Sequence, residues 1–225
     1  MSPLVELELA AAAFVGTHFL MSHPLRKWMV RTFGNAGFLG VYSLVSFATL
    51  GWMIWAALKI PAEPPYWNSG TIGWTFASLL GWLASILLVG SFVRNPAFPD
   101  PTGKGPVISR PHGVFRITRH PMMWSFAFWA IAHAIVNPTP SGLIIDEAIG
   151  VLAIVGAALQ DRKKEKLLGE RWASWVKQTS FVPFGRGIAA PGWPAFIGGT
   201  LLFFAATWAH GALGYREAGF WPYFA

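Results

Sequence analysis

Thr71-Ile-Gly-Trp-Thr-Phe-Ala-Ser-Leu-Leu-Gly-Trp-Leu-Ala-Ser-Ile-Leu-Leu-Val-Gly-Ser-Phe-Val93 contains no Asp, Glu, Lys or Arg. At about 1.5 Å of rise per residue, a helix of this length crosses the roughly 30 Å hydrocarbon core of a bilayer. Five further runs read alike: Leu4–Met21, Ala36–Leu58, Pro121–Val136, Leu143–Leu159 and Ala195–Leu213. The whole chain of 225 residues is 54% hydrophobic and only 12% charged, whereas about a quarter of the residues in a soluble domain carry charge. Only helices or closed barrels satisfy their backbone in lipid, and runs of this length select helices. The expectation is one all-α integral membrane domain over residues 1–225 with six transmembrane helices. The first run has no charged segment before it and holds Glu6, Glu8 and His18, so it reads as a retained helix and not a cleaved signal.

A net charge of +7 would suggest nucleic acid as a partner in a soluble chain. Here the distribution of charge points to topology instead. Of the 17 Lys and Arg, fifteen fall in alternate loops: Arg26–Arg31, Arg94–Arg119 and Arg162–Arg186. Only Lys59 and Arg216 lie on the opposite side. The positive-inside rule places the basic loops in the cytoplasm and both termini outside, in a bacterial-type inner membrane. Cys is absent, which excludes disulfides, thiolate metal sites and thiol nucleophiles.

Between the spans, Pro61–Pro65 and Asn137–Gly142 read as tight outer turns. The loop Asn95–Arg119, with Pro96, Pro99, Pro101, Pro106 and Pro111, is long enough to suggest a functional cover. In Gln160–Lys177, Leu167, Leu168, Trp172, Trp175 and Val176 recur at helical spacing opposite charge. That pattern predicts a cytoplasmic amphipathic helix lying at the anionic membrane surface, with Asp161–Glu165 as a solvated face. Trp28, Trp67, Trp74, Trp193 and Trp221 read as an interfacial belt.

Chemistry concentrates in Gly113-Val-Phe-Arg-Ile-Thr-Arg-His-Pro-Met-Met-Trp124. Pro121 suits the first turn of a helix, which puts Arg116, Arg119 and His120 beside its positive N-terminal dipole. They form a candidate clamp for a carboxylate, a phosphate or a heme propionate, and a carboxylate pairing with Arg119 would give it function. His18, His133 and His210 lie in apolar context, where an imidazole needs a partner on each nitrogen; a metal supplies one and a hydrogen bond across helices the other reading. By depth, His133 pairs more easily with His210 than with His18. His23 and His112 read as surface residues. No Ser-His-Asp order, Gly-rich phosphate loop or His-Glu-x-x-His helix is present, so hydrolase and nucleotide-driven pump readings have no local support.

Arg116-Ile-Thr-Arg-His-Pro121 with His133, Asp161-Arg162, Gly169, Trp172, Trp175 and Thr179-Ser-Phe-Val-Pro-Phe184 resembles the NnrU family, and Thr17-His18-Phe-Leu-Met-Ser-His23-Pro-Leu-Arg26 resembles its opening element. That family is similar to the 15-cis-zeta-carotene isomerases. The resemblance implies heme b held by His18 and His133, with iron redox state gating cis–trans rearrangement of an apolar polyene. The NnrU branch implies instead a non-enzymatic heme or redox accessory protein of nitrite and nitric oxide metabolism in denitrification, with a gaseous substrate. Arg119-His120-Pro121 with Gly169, Trp172, Trp175 and Pro183 also resembles the isoprenylcysteine and phospholipid methyltransferases, which implies S-adenosylmethionine as an alternative cofactor.

Overall fold

In a computed structural model, which describes residues 1–98, 110–214 and 218–221, the regular elements are helices, and no strand is present among the described residues. They are α1 (Pro3–Ser22), α2 (Arg26–Leu58), α3 (Gly70–Gly90), α4 (Pro121–Val136), α5 (Pro140–Leu168), α6 (Glu170–Gln178) and α7 (Trp193–Ala212), with a 3-10 turn at Gly113–Arg116. Of these, α1, α2, α3, α5 and α7 are long and apolar enough to cross a membrane. The fourth expected run forms α4, an apolar helix of 16 residues. Pro99, Pro101, Lys104 and Pro106 of the long loop, and Arg216, lie outside the described residues.

Local chemistry sets most boundaries. Ser2 and Thr139 cap α1 and α5 by accepting from the backbone N–H groups of Val5 and Gly142. Pro3, Pro121, Pro140 and Pro194 occupy first-turn positions, where a missing N–H costs nothing. Gly34, at φ 71°, interrupts α2 just before the apolar run that begins at Ala36.

Helix packing follows the order α2, α1, α5, α4, α3, α7, each touching the next. Between α3 and α7 the approach is close: a Cβ added to Gly199 would lie 2.4 Å from the Ile86 Cα. Small residues permit this because helices in lipid associate through backbone proximity and dispersion, with no hydrophobic drive between them. Where α1 begins and α2 ends, Lys59 pairs with Glu6 at 3.1 Å, and Glu63 accepts from the Ser141 N–H at 2.9 Å.

The expected amphipathic helix over Gln160–Lys177 is not formed as one element. Gly169, at φ 51°, ends α5 and starts α6 in a new direction. Nor do its tryptophans lie at a membrane surface. Trp172 and Trp175 are each 1% exposed and pack with Val114, Phe115, Ile117, Ile86, Leu87 and Ala195. The hydrophobic spacing was real, but the surface it matches belongs to this protein. The indole N–H groups of both have no hydrogen-bond partner among the described residues, so apolar burial outweighs that cost.

Gly199→Ala should lower the thermal stability of the detergent-solubilised protein by about 1–3 kcal/mol through overpacking. Gly16→Ala, whose added Cβ meets nothing within 4 Å, should leave it unchanged. A melting experiment followed by tryptophan fluorescence distinguishes the two.

Candidate functional site

The motif Gly113–Trp124 folds as a turn leading into α4, and it is clasped to Thr179–Phe184 by backbone and side chain. Arg119 N–H donates to Ser180 O at 2.8 Å, and Phe184 N–H to Ile117 O at 2.9 Å. Thr118 Oγ1 donates to Phe181 O at 2.7 Å, and Trp124 Nε1 to the same carbonyl at 2.8 Å. Two segments more than 50 residues apart in sequence thus share one hydrogen-bond set. Phe181 lies beneath both the Arg119 guanidinium, at 5.3 Å, and the His120 ring, at 5.4 Å.

Asp161 closes the arrangement from α5. Its Oδ2 accepts from Arg119 Nε at 2.8 Å and lies 2.6 Å from Nη2, while Oδ1 accepts from His120 Nε2 at 2.8 Å. His120 Nδ1 faces Gln160 Oε1 at 3.2 Å, so both ring nitrogens are engaged and neither is left for a metal. Arg119 and His120, expected as part of an anion clamp at the start of α4, are thus bound to a carboxylate of this chain, Asp161. Arg116 does not join it: its side chain is exposed while Arg119 turns inward. Arg116 is the last residue of the 3-10 turn, and Arg119 follows it by three residues.

The expectation of a solvated face over Asp161–Glu165 is also corrected. Arg162 and Glu165 are exposed, but Asp161 bridges and Lys164 is 8% exposed, donating to the carbonyls of Pro96 and Phe98. Its alternation follows α5 as it leaves the apolar zone and packs against the Asn95–Phe98 segment. The His112 ring nitrogens lie 3.3 Å from the carbonyl oxygens of Arg110 and Val93. His23 lies 2.8 Å from Ser22 Oγ and 3.4 Å from Leu159 O, which ties the α1–α2 turn to α5.

The three histidines in apolar context share one local device. His18, His133 and His210 each donate Nδ1–H to the carbonyl four residues back: Phe14 at 2.6 Å, Trp129 at 2.9 Å and Ala206 at 2.8 Å. Each therefore keeps Nε2 as a free lone pair, the tautomer that a metal-binding imidazole uses. The fold brings His133 and His210 together, with ring centres 6.2 Å apart and planes inclined by 34°. Trp129 packs on His133 at 3.9 Å. His18 lies elsewhere, edge-on to Phe14 and Tyr42. It lines a cavity with Phe126 of α4, two turns, or on the order of 10 Å, before His133 on that helix.

Two adjoining cavities open between these elements. One, of about 430 Å³, lies among α1, α2, α4 and α5 and is mostly apolar, with His18 in its wall. The other, of about 720 Å³, is lined by the basic residues Arg26, Arg119, Lys163, Lys164 and Arg171 with His120. Nothing local in the sequence marks Arg26 or Lys163 as cavity residues, because only the packing of the fold brings the start of α2 and the later part of α5 to one lining.

A family model described as NnrU protein matches residues 6–217. The chain belongs to the NnrU family. It is also similar to the chloroplastic 15-cis-zeta-carotene isomerase of Arabidopsis thaliana, at 36% identity over 75 residues. That match takes in 32% of this chain and 20% of the relative, so the chain spans about a fifth of the curated relative it matches. No solved structure matches.

Asp161→Ala would leave the inward-facing Arg119 without its carboxylate. We expect a loss of thermal stability approaching the roughly 3–5 kcal/mol of a broken buried ion pair. Arg116→Ala, at an exposed position, should stay within about 0.5 kcal/mol of wild type. Equal melting temperatures for the Asp161 variant and wild type would contradict the clasp.

Proposed function

We propose that this NnrU-family protein binds heme b and acts on an apolar polyene in the bilayer as a redox-gated cis–trans isomerase. In this reading it has six spans with both termini outside, α4 being the sixth. The observation that carries the proposal is the pair His133 and His210, each with Nε2 left free by its own backbone hydrogen bond and with ring centres 6.2 Å apart. At that separation, one metal ion with bonds of about 2 Å to each imidazole fits between the rings. The donor set, two neutral imidazoles and no thiolate, suits heme iron. Bound there, heme b would supply a one-electron redox centre next to lipid.

The protein's own residues would position and shield that centre. The Trp129 and Ala206 carbonyls fix the tautomer and orientation of the two imidazoles, as a metal's outer partners do. Trp129 packs on His133 and limits rotation of its ring. Exposed Ile131 on α4 and Trp208 on α7 give a long apolar substrate direct access from lipid. Similarity to the zeta-carotene isomerase supports the polyene as substrate class, over a short stretch. In the alternative reading, a nitric-oxide-related accessory protein, the same imidazole pair holds the heme and no polyene is turned over.

Absorption spectra of protein expressed with ample heme, oxidised and reduced, test the proposal. A Soret band is expected in wild type, lost or strongly shifted in His133→Ala and His210→Ala, and retained in His18→Ala. Loss in His18→Ala with retention in His210→Ala would instead select the pair that family resemblance implies. A colourless wild-type protein would overturn heme binding. Incubation of the reduced protein with cis-zeta-carotene separates the enzyme, which yields the isomer, from the accessory protein, which does not.

A further inference from the structure

A second binding place lies apart from the histidine pair, at the other end of α4. In the larger cavity Arg26 and Lys163 face a common space with Lys164, and both Arg26 and Lys164 are close enough to Lys163 to repel it. Asp161 does not relieve them, because Arg119 and His120 occupy both of its oxygens. No Asp or Glu lines this cavity among the described residues. Among the described residues, neither Arg26 nor Lys163 has an ion-pair or hydrogen-bond partner; the Phe38 ring, 5.4 Å from the Arg26 guanidinium, is apolar company. Like charges gathered without a counter-charge in a half-enclosed space cost stability unless an anion arrives from outside.

The smaller cavity supplies the other half of the chemistry. Ser22, Tyr42, Met123, Gln160 and Lys163 line both spaces, so the two are contiguous, with Lys163 at the junction. Beyond that junction the walls include Phe14, Phe47, Leu50, Phe126 and Leu152 with His18 and His23, and no Asp, Glu, Arg or second Lys lines them among the described residues. A cationic chamber that continues into an apolar cleft between membrane helices is complementary to an amphiphile. Basic pockets between helices at a membrane boundary accept lipid head groups on these grounds. The charge count favours phosphate over carboxylate: two uncompensated cations match a phosphate monoester, which carries about −1.5 to −2 at neutral pH.

We propose that these joined cavities bind a membrane amphiphile with a phosphate monoester head and a long apolar chain. Arg26 and Lys163 take the head group, and the Phe14–Leu50–Phe126 cleft takes the chain. The site involves neither His133 nor His210 and does not depend on heme at that pair.

The test uses the full-length protein in a neutral detergent, with dioleoyl phosphatidic acid as the probe and affinity read by native mass spectrometry. We expect saturable one-to-one binding, at least tenfold tighter than dioleoyl phosphatidylcholine. Arg26→Ala with Lys163→Ala should weaken it tenfold or more, whereas Lys163→Arg should keep it. Leu50→Trp, which fills the cleft and leaves every charge in place, should weaken the long-chain probe selectively. Dihexanoyl phosphatidic acid and inorganic phosphate should bind far more weakly. Equal affinity for short-chain and long-chain probes, or unchanged binding in the double variant, would overturn the proposal. Because His133→Ala is expected to bind the probe normally, loss of heme and loss of lipid read out separately.

Discussion

The Asp161 carboxylate holds three parts of the molecule that have no other reason to meet. Arg119 and His120 come from the entrance of α4, Asp161 from the far end of α5, and Phe181 from the strap that returns toward α7. One anion facing two cationic or imidazole partners, mostly out of water, is stable only as a complete set, since removal of any member strands a charge. The backbone bonds from Thr118, Arg119 and Phe184 then lock the same register. Everything on the basic side of the protein is placed relative to this junction, including the buried face of α6 and the wall of the larger cavity.

The junction also separates two kinds of positive charge. Arg119 is neutralised inside the protein and acts as structure. Arg26 and Lys163, in the same lining, have no ion-pair or hydrogen-bond partner among the described residues. At the opposite end of α4, the imidazoles of His133 and His210 each spend Nδ1 on a backbone carbonyl of their own helix. In the two proposals an unsatisfied group in a poor solvent would meet a different ligand at each end of α4, a metal at one and an anion at the other.

Much of this was legible in the residues. Runs such as Thr71–Val93 give the helices because lipid admits no other backbone solution for them, and Pro121 marks the start of α4. His133 beside His210 follows from depth alone, since both sit near the far ends of their helices. What sequence did not give is the partner of each face. The spacing of Trp172 and Trp175 says that one side is apolar, but a membrane and the core around Phe115 look alike to it. The sign pattern Asp161–Glu165 likewise cannot tell a solvated turn from one that meets Arg119 across the fold. Arg26 carries no local mark of its place in that lining, because the place comes from the packing of the fold.

The central claim is that the motif at the entrance of α4 and the strap at Thr179–Phe184 form one cooperative unit held by Asp161. Hydrogen–deuterium exchange on the full-length protein in detergent, wild type against Asp161→Asn, tests it most directly. The account predicts slow exchange at the amides of Ile117–Arg119 and of Phe184 in wild type, and a joint rise in both segments in the variant. A rise confined to one segment, or no change in either, would contradict it.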